Sequence, residues 1–113
     1  MWLLIPEGFY SIVQKPGEEE LCLRARHISD LDRLRDEYMP GLSQTTETPG
    51  HDYRYRAYVS RDGLAEGLAA IARRLAYANF KSEVASRDPE RAHIYGRVWS
   101  ALGSIQPGGP YGT

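Results

Sequence analysis

Cysteine occurs once in these 113 residues, at Cys22, so no internal disulfide framework and no cysteine-rich metal site can form. That usage fits a reducing cytoplasm. Long apolar runs are also missing. The opening Met1-Trp2-Leu3-Leu4-Ile5 lacks a basic flank and is halted by Pro6-Glu7-Gly8, too early for a signal peptide or a membrane span, and it reads as a first strand. Net charge is close to zero: 14 Lys and Arg against 15 Asp and Glu leave −1. A global attraction to nucleic acid or to an anionic membrane is thereby excluded, and electrostatic binding has to come from a local patch. The chain holds no phosphate loop, no Gly-x-Ser-x-Gly elbow and no dinucleotide fingerprint, and its three histidines show no metal-ligand spacing. No cofactor and no metal is expected.

What is present describes one small soluble domain, 42% hydrophobic and 26% charged. Residues 1–105 read as a single α+β domain and 106–113 as a flexible Pro/Gly-rich tail, because Gln106-Pro107-Gly108-Gly109-Pro110 has breakers and little to bury. Within the domain one pattern occurs twice. Pro16-Gly17 precedes Leu23-Arg24-Ala25-Arg26, and Pro49-Gly50 precedes Tyr53-Arg54-Tyr55-Arg56; each run then reaches a serine and an Asp-Leu or Asp-Gly-Leu helix start. Leu21, Leu23 and Ala25 alternate with Cys22, Arg24 and Arg26, and Tyr53, Tyr55, Ala57 and Val59 alternate with Arg54, Arg56 and Tyr58, the period of half-buried strands. Trp2 to Val13 reads as a bent or broken strand and Ser43 to Thr48 as another.

Helices are expected over Ser29–Tyr38, with Ser29 and Asp32 at capping-box spacing, and after Asp62, where Leu64, Leu68, Ile71 and Leu75 form an apolar stripe. A short helix after Asn79 and a longer one after Asp88-Pro89-Glu90 follow. Two strand-strand-helix units predict a four-stranded antiparallel sheet with both helices on one face, a permuted ferredoxin-like order, plus an extra C-terminal helix.

If the second and fourth strands lie side by side, Arg24, Arg26, Arg54 and Arg56 share the open sheet face with Tyr58, and Tyr10 and Ile12 are candidates to join them. Like charges there demand neutralisation. Glu18, Glu19, Glu20, Glu47 or Asp52 supply it in a salt-bridge ladder; otherwise an external anion does, a phosphate or a base-bearing strand, or a partner protein or second copy of the chain. The expected function is a binding or regulatory domain, a homodimer, using Arg24, Arg26, Arg54, Arg56 and Tyr58 to hold an anionic ligand or an acidic partner surface. Protein partners or self-association lead, nucleic acid follows, and no membrane is involved. The competing classes are a small enzyme centred on His51, Asp52 and Cys22, and a phage- or mobile-element-related interaction protein. His93 and Arg97 read as a solvated helix face, and Tyr77, Phe80, Tyr95 and Trp99 as one aromatic cluster.

The segments Met1-Trp2-Leu3 with Gly8-Phe9-Tyr10-Ser11, Leu23-Arg24-Ala25-Arg26, Asp52-Tyr53-Arg54-Tyr55-Arg56, Tyr77-Ala78-Asn79-Phe80-Lys81 and Tyr95 with Val98-Trp99 resemble a family of small bacterial proteins of unknown function. The resemblance spans most of the chain up to Ile105. It implies a bacterial, cytoplasmic, free-standing domain and lends no activity, cofactor or catalytic residue.

Overall fold

Alternating branched and aromatic residues build five strands rather than four: β1 Trp2–Ile5, β2 Gly8–Val13, β3 Leu21–Ala25, β4 Thr46–Glu47 and β5 Tyr55–Val59. The computed structural model from which they are taken describes residues 1–108, so Gly109 to Thr113, most of the expected tail, lie outside the described residues. The fifth strand arises because the first segment does not bend but folds back on itself. Pro6 and Glu7 turn β1 onto β2, with Ile5 opposite Gly8 and Trp2 opposite Ser11. All neighbours are antiparallel and the order is β1-β2-β3-β5-β4. The threonine-rich segment contributes only the two residues of β4, at a sheet edge.

Both Pro-Gly pairs form the turns their chemistry favours. Glu18 N donates to Lys15 O across Pro16-Gly17, and His51 N donates to Thr48 O across Pro49-Gly50. Gly17 and Gly50 have φ of +80° and +85°. Proline then glycine with positive φ is the type II arrangement.

The chain divides into two units, Met1–Ala76 and the remainder from Tyr77. In the first, α1 Ile28–Glu37 and α2 Arg61–Arg74 add Leu31, Leu34 and Leu64 to a core built by Ile5, Tyr10, Ile12, Leu21, Leu23, Ala57 and Val59. Those strand residues share one sheet face by register, so Tyr10 and Ile12 lie in the core and not, as expected, on the arginine face, the sheet carries its helices on that side and the unit is α+β. The stripe on α2 stops at Ile71, since Leu75 caps the helix and is exposed. Caps differ from expectation on both helices. His27 Nδ1 accepts from Ser29 N at the start of α1, and Ser60 Oγ accepts from Gly63 N at the start of α2. In the second unit α3 Phe80–Arg87 and α4 Pro89–Leu102 are capped as expected by Asn79 and Asp88, and a 3-10 turn, Gly103–Ile105, follows.

Candidate anion-binding sheet face

β3 and β5 are neighbours, and their register places Arg24 directly opposite Arg56. Followed outward through the register, one row crosses the whole sheet on the face away from α1: Trp2, Ser11, Arg24, Arg56 and Thr46. Leu23 opposite Ala57 lies on the buried side, so backbone parity alone sends the two arginines to the other.

That face is not left open, contrary to the sequence-based expectation. The loop from Thr48 to Arg54 folds over it. Thr48 N donates to Arg54 O, Thr48 Oγ1 donates to the carbonyls of Tyr53 and Arg54, and Asp52 Oδ1 accepts from Tyr53 N. Tyr53 is thereby buried with the guanidinium carbons of Arg24 and Arg26 4.7 and 5.0 Å from its ring centre. Arg56 is 7% exposed, with Nε donating to Thr48 Oγ1 and Nη2 3.4 Å from His51 Nδ1. Arg24 Nη2 donates to Ser11 Oγ at 2.7 Å, while its Nε is buried and has no hydrogen-bond partner among the described residues. Arg26 is exposed.

The four arginines therefore divide. Arg54 pairs with Glu47 at 2.8 Å on the surface, and that hydrogen bond and charge hold its guanidinium above the ordinary arginine pKa. Among the described residues no carboxylate lies within 4.0 Å of Arg24, Arg26 or Arg56. Of the five candidate neutralisers only Glu47 is used. Asp52 is spent on the loop, and Glu18, Glu19 and Glu20 line a cleft of about 400 Å³ with Tyr58. Tyr58, in register with Cys22, thus lies beside acidic residues one alternation along β5 from Arg56.

The residues of the enzyme reading have structural surroundings of their own. Cys22 is fully buried opposite Tyr58, Asp52 is bonded to its own loop, and His51 stands next to Arg56. Among the described residues no three of His, Cys, Asp and Glu are placed to hold a metal ion. In the second unit Phe80 stacks on Tyr95 at 6.0 Å, Tyr77 meets Phe80 at 6.1 Å, and Lys81 Nζ covers the Trp99 ring at 3.9 Å. An open groove of about 900 Å³ runs along α3 and α4 past Lys81, Ala85, His93, Gly96 and Arg97, the solvated face the sequence suggested.

Sequence reasoning missed two participants. Trp2, read only as part of a strand, stands 71% exposed on the arginine face, and Phe9 beside it joins Trp2 to Tyr53. Alternation within Trp2–Val13 carried that signal, but the hairpin that sets its parity was not visible.

The Tyr58 phenol is raised above its ordinary pKa of 10.0, first by burial, then by Cys22 and Glu18. Tyr38 is raised likewise, by burial and by its hydrogen bond to Glu7. For an acid whose folded value is raised, the stabilisation is complete below the unfolded value and is lost as pH rises through the folded one. Urea stability measured from about pH 8 to about pH 11 should therefore fall on the alkaline side, and Tyr38→Phe with Tyr58→Phe should flatten that fall. An unchanged slope in the double variant would assign the alkaline loss to other groups.

Among the described residues, no helix is long and apolar enough to cross a membrane. Compared with family models, curated proteins and solved structures, the chain finds no match.

Proposed function

We propose that this protein is a binding module whose arginine face holds an anion, free or carried on a partner surface, through Arg26 and Arg24, with buried Arg56 adding its charge from beneath and Arg54 and Tyr58 at the margins. One observation carries the reading. Three arginines, two of them directly opposite on adjacent strands, lack any carboxylate counterion among the described residues, and one keeps a buried Nε donor unsatisfied. Native proteins pair charge that is taken out of water, so arginines without a carboxylate point to an external anion, which exposed Arg26 can meet directly. Arg24 and Arg26 both lie against the Tyr53 ring, and Arg26, exposed and without a hydrogen bond among the described residues, has N–H donors available to oxygen ligands. The same reading takes the two strand-strand-helix units as a permuted ferredoxin-like arrangement with β3 and β5 central, and the module as cytoplasmic.

The test is a titration with inorganic tripolyphosphate at low salt, followed by thermal unfolding and calorimetry. A saturable rise in Tm is expected. Arg26→Ala, at an exposed site, should weaken it by about tenfold or more, the scale of one lost hydrogen bond to a charged group, while the free protein loses no more than the contact with Tyr53, about 1 kcal/mol. No rise in Tm, or equal affinity in the variant, would remove the proposal. Arg56→Ala is the wrong probe, since Arg56 is buried and secures the Thr48–Arg54 loop.

A further inference from the structure

Resting on the anion-site reading, we propose that the ligand is single-stranded nucleic acid, with a base stacked on Trp2 and its phosphates on Arg26 and Arg24. The sheet face holds one continuous strip of π systems and cations. Trp2 meets Phe9 edge to face at 5.4 Å and 87°, Phe9 meets Tyr53 at 6.3 Å, and Tyr53 carries Arg24 and Arg26 at 4.7 and 5.0 Å. Its two ends are chemically different. At one end the indole is 71% exposed. An edge-to-face contact occupies at most one face of each ring, so at least one face of Trp2 is free to stack. At the other end are the uncompensated guanidiniums, with Arg26 reaching solvent.

The separation suits a nucleotide. Trp2 and Arg24 lie in the same cross-sheet row with only Ser11 between them, two strand spacings or about 10 Å at the backbone. Arg24, held by Ser11 Oγ and Tyr53, fixes one positive charge beside this row, and exposed Arg26 adds a second for a phosphate attached to a base on Trp2. Aromatic platforms beside a cationic track are how sheet faces take unpaired strands, since every base has a face to stack and every nucleotide a charge to neutralise. A double helix hides its base faces and would leave Trp2 unused. An acidic peptide would satisfy the arginines but has no flat partner for an exposed indole. The overall charge of −1 does not oppose this, because the attraction is confined to the patch.

The experiment follows Trp2 fluorescence at about 50 mM salt with short poly-U RNA, poly-dT DNA, inorganic polyphosphate and poly-glutamate as probes. Trp99 is the only other tryptophan, so Trp99→Phe isolates the signal; should that variant misfold, the difference between the native chain and Trp2→Phe gives the same readout. Expected are quenching of Trp2 by the oligonucleotides, an affinity that falls as salt rises, and a loss of about 5- to 150-fold in Trp2→Ala, the range found for one stacked base. Arg26→Ala should weaken the oligonucleotides and polyphosphate alike. Binding of polyphosphate that depends on Arg26, with oligonucleotides no tighter and Trp2 silent, would overturn the nucleic-acid assignment and leave the anion site standing. Equal binding of poly-glutamate and oligonucleotides would overturn it in favour of an acidic partner. Failure of every probe to bind at low salt would remove both readings.

Discussion

Asp30→Ala should cost about 3 kcal/mol of stability and lower Tm on the order of 10–20 °C, more than its place in the first turn of a surface helix would suggest. Asp30 is 2% exposed. Its Oδ2 accepts from Phe9 N at 3.0 Å, its Oδ1 accepts from Arg33 Nη2 at 2.9 Å, and its backbone carbonyl accepts from Tyr10 Oη at 2.6 Å. Arg33 in turn donates from Nε to Glu7 O at 2.7 Å. The carboxylate therefore locks α1 onto the β1–β2 turn. Alanine would strand the Phe9 N–H away from water and free Arg33 from its anion, each a loss of about 1–3 kcal/mol, moderated because Arg33 is partly solvated. Asp30→Asn, which retains one acceptor, should recover part of the loss. Urea denaturation of the three proteins decides the matter: a difference between the native chain and Asp30→Ala of less than about 1 kcal/mol would mean that water replaces the carboxylate at no cost.

Gly8→Ala should destabilise by about 1–3 kcal/mol, the ordinary cost of overpacking, for a reason rooted in the same network. A Cβ at position 8 would lie 2.7 Å from Asp30 Cγ, 2.7 Å from Tyr10 Oη and 2.8 Å from Asp30 Cβ. None of these atoms can swing away, since Tyr10 is fully buried and Asp30 is bonded on both oxygens. Gly67 makes the contrast. The nearest atom to its added Cβ is Met39 Cε, also at 2.7 Å but at the free end of a flexible side chain. The two glycines would look alike in a scan by distance and differ in what must move. A double-mutant cycle makes the coupling measurable: in the Asp30→Ala background the Cγ clash is gone, so Gly8→Ala should cost less than it does alone. Strict additivity would place the strain elsewhere.

Much of the architecture was legible because it rests on local chemistry. The Pro-Gly turns at 16–17 and 49–50, the two-residue alternation of β3 and β5, and the Asn79 and Asp88 caps are each dictated by residues within a few positions. The adjacency of β3 and β5 was expected from the ferredoxin-like analogy, and parity put Arg24 and Arg56 on one face; the register that sets them opposite depends on long-range pairing that no local signal carries. The hairpin at Pro6-Glu7 was not legible, since it lacks the Asn-Gly or Asp-Gly signal of a two-residue turn. Without it the facing of Trp2 and Phe9 was undetermined. The covering of the arginine face was hidden for another reason. Tyr53 has strand alternation in its sequence, but Thr48 and Asp52 bond the backbone around it into a loop, and β5 begins only at Tyr55. Asp30 was invisible as a core residue, because a charged side chain in a helical first turn normally complements the dipole in solvent.

The order of the strands also sets the order in which the molecule can assemble. β1 meets β2 across a two-residue turn and β2 meets β3 across a short one, so these contacts close small loops. β3 meets β5 only after α1 and β4 have been passed along the chain. That central seam has the greatest sequence separation in the sheet, and seams of that kind govern how fast a small domain folds. The arginine row lies on it. Arg24 and Arg56 come face to face only when the seam closes, so the opposed pair of guanidiniums is absent from a chain in which only β1, β2 and β3 have met.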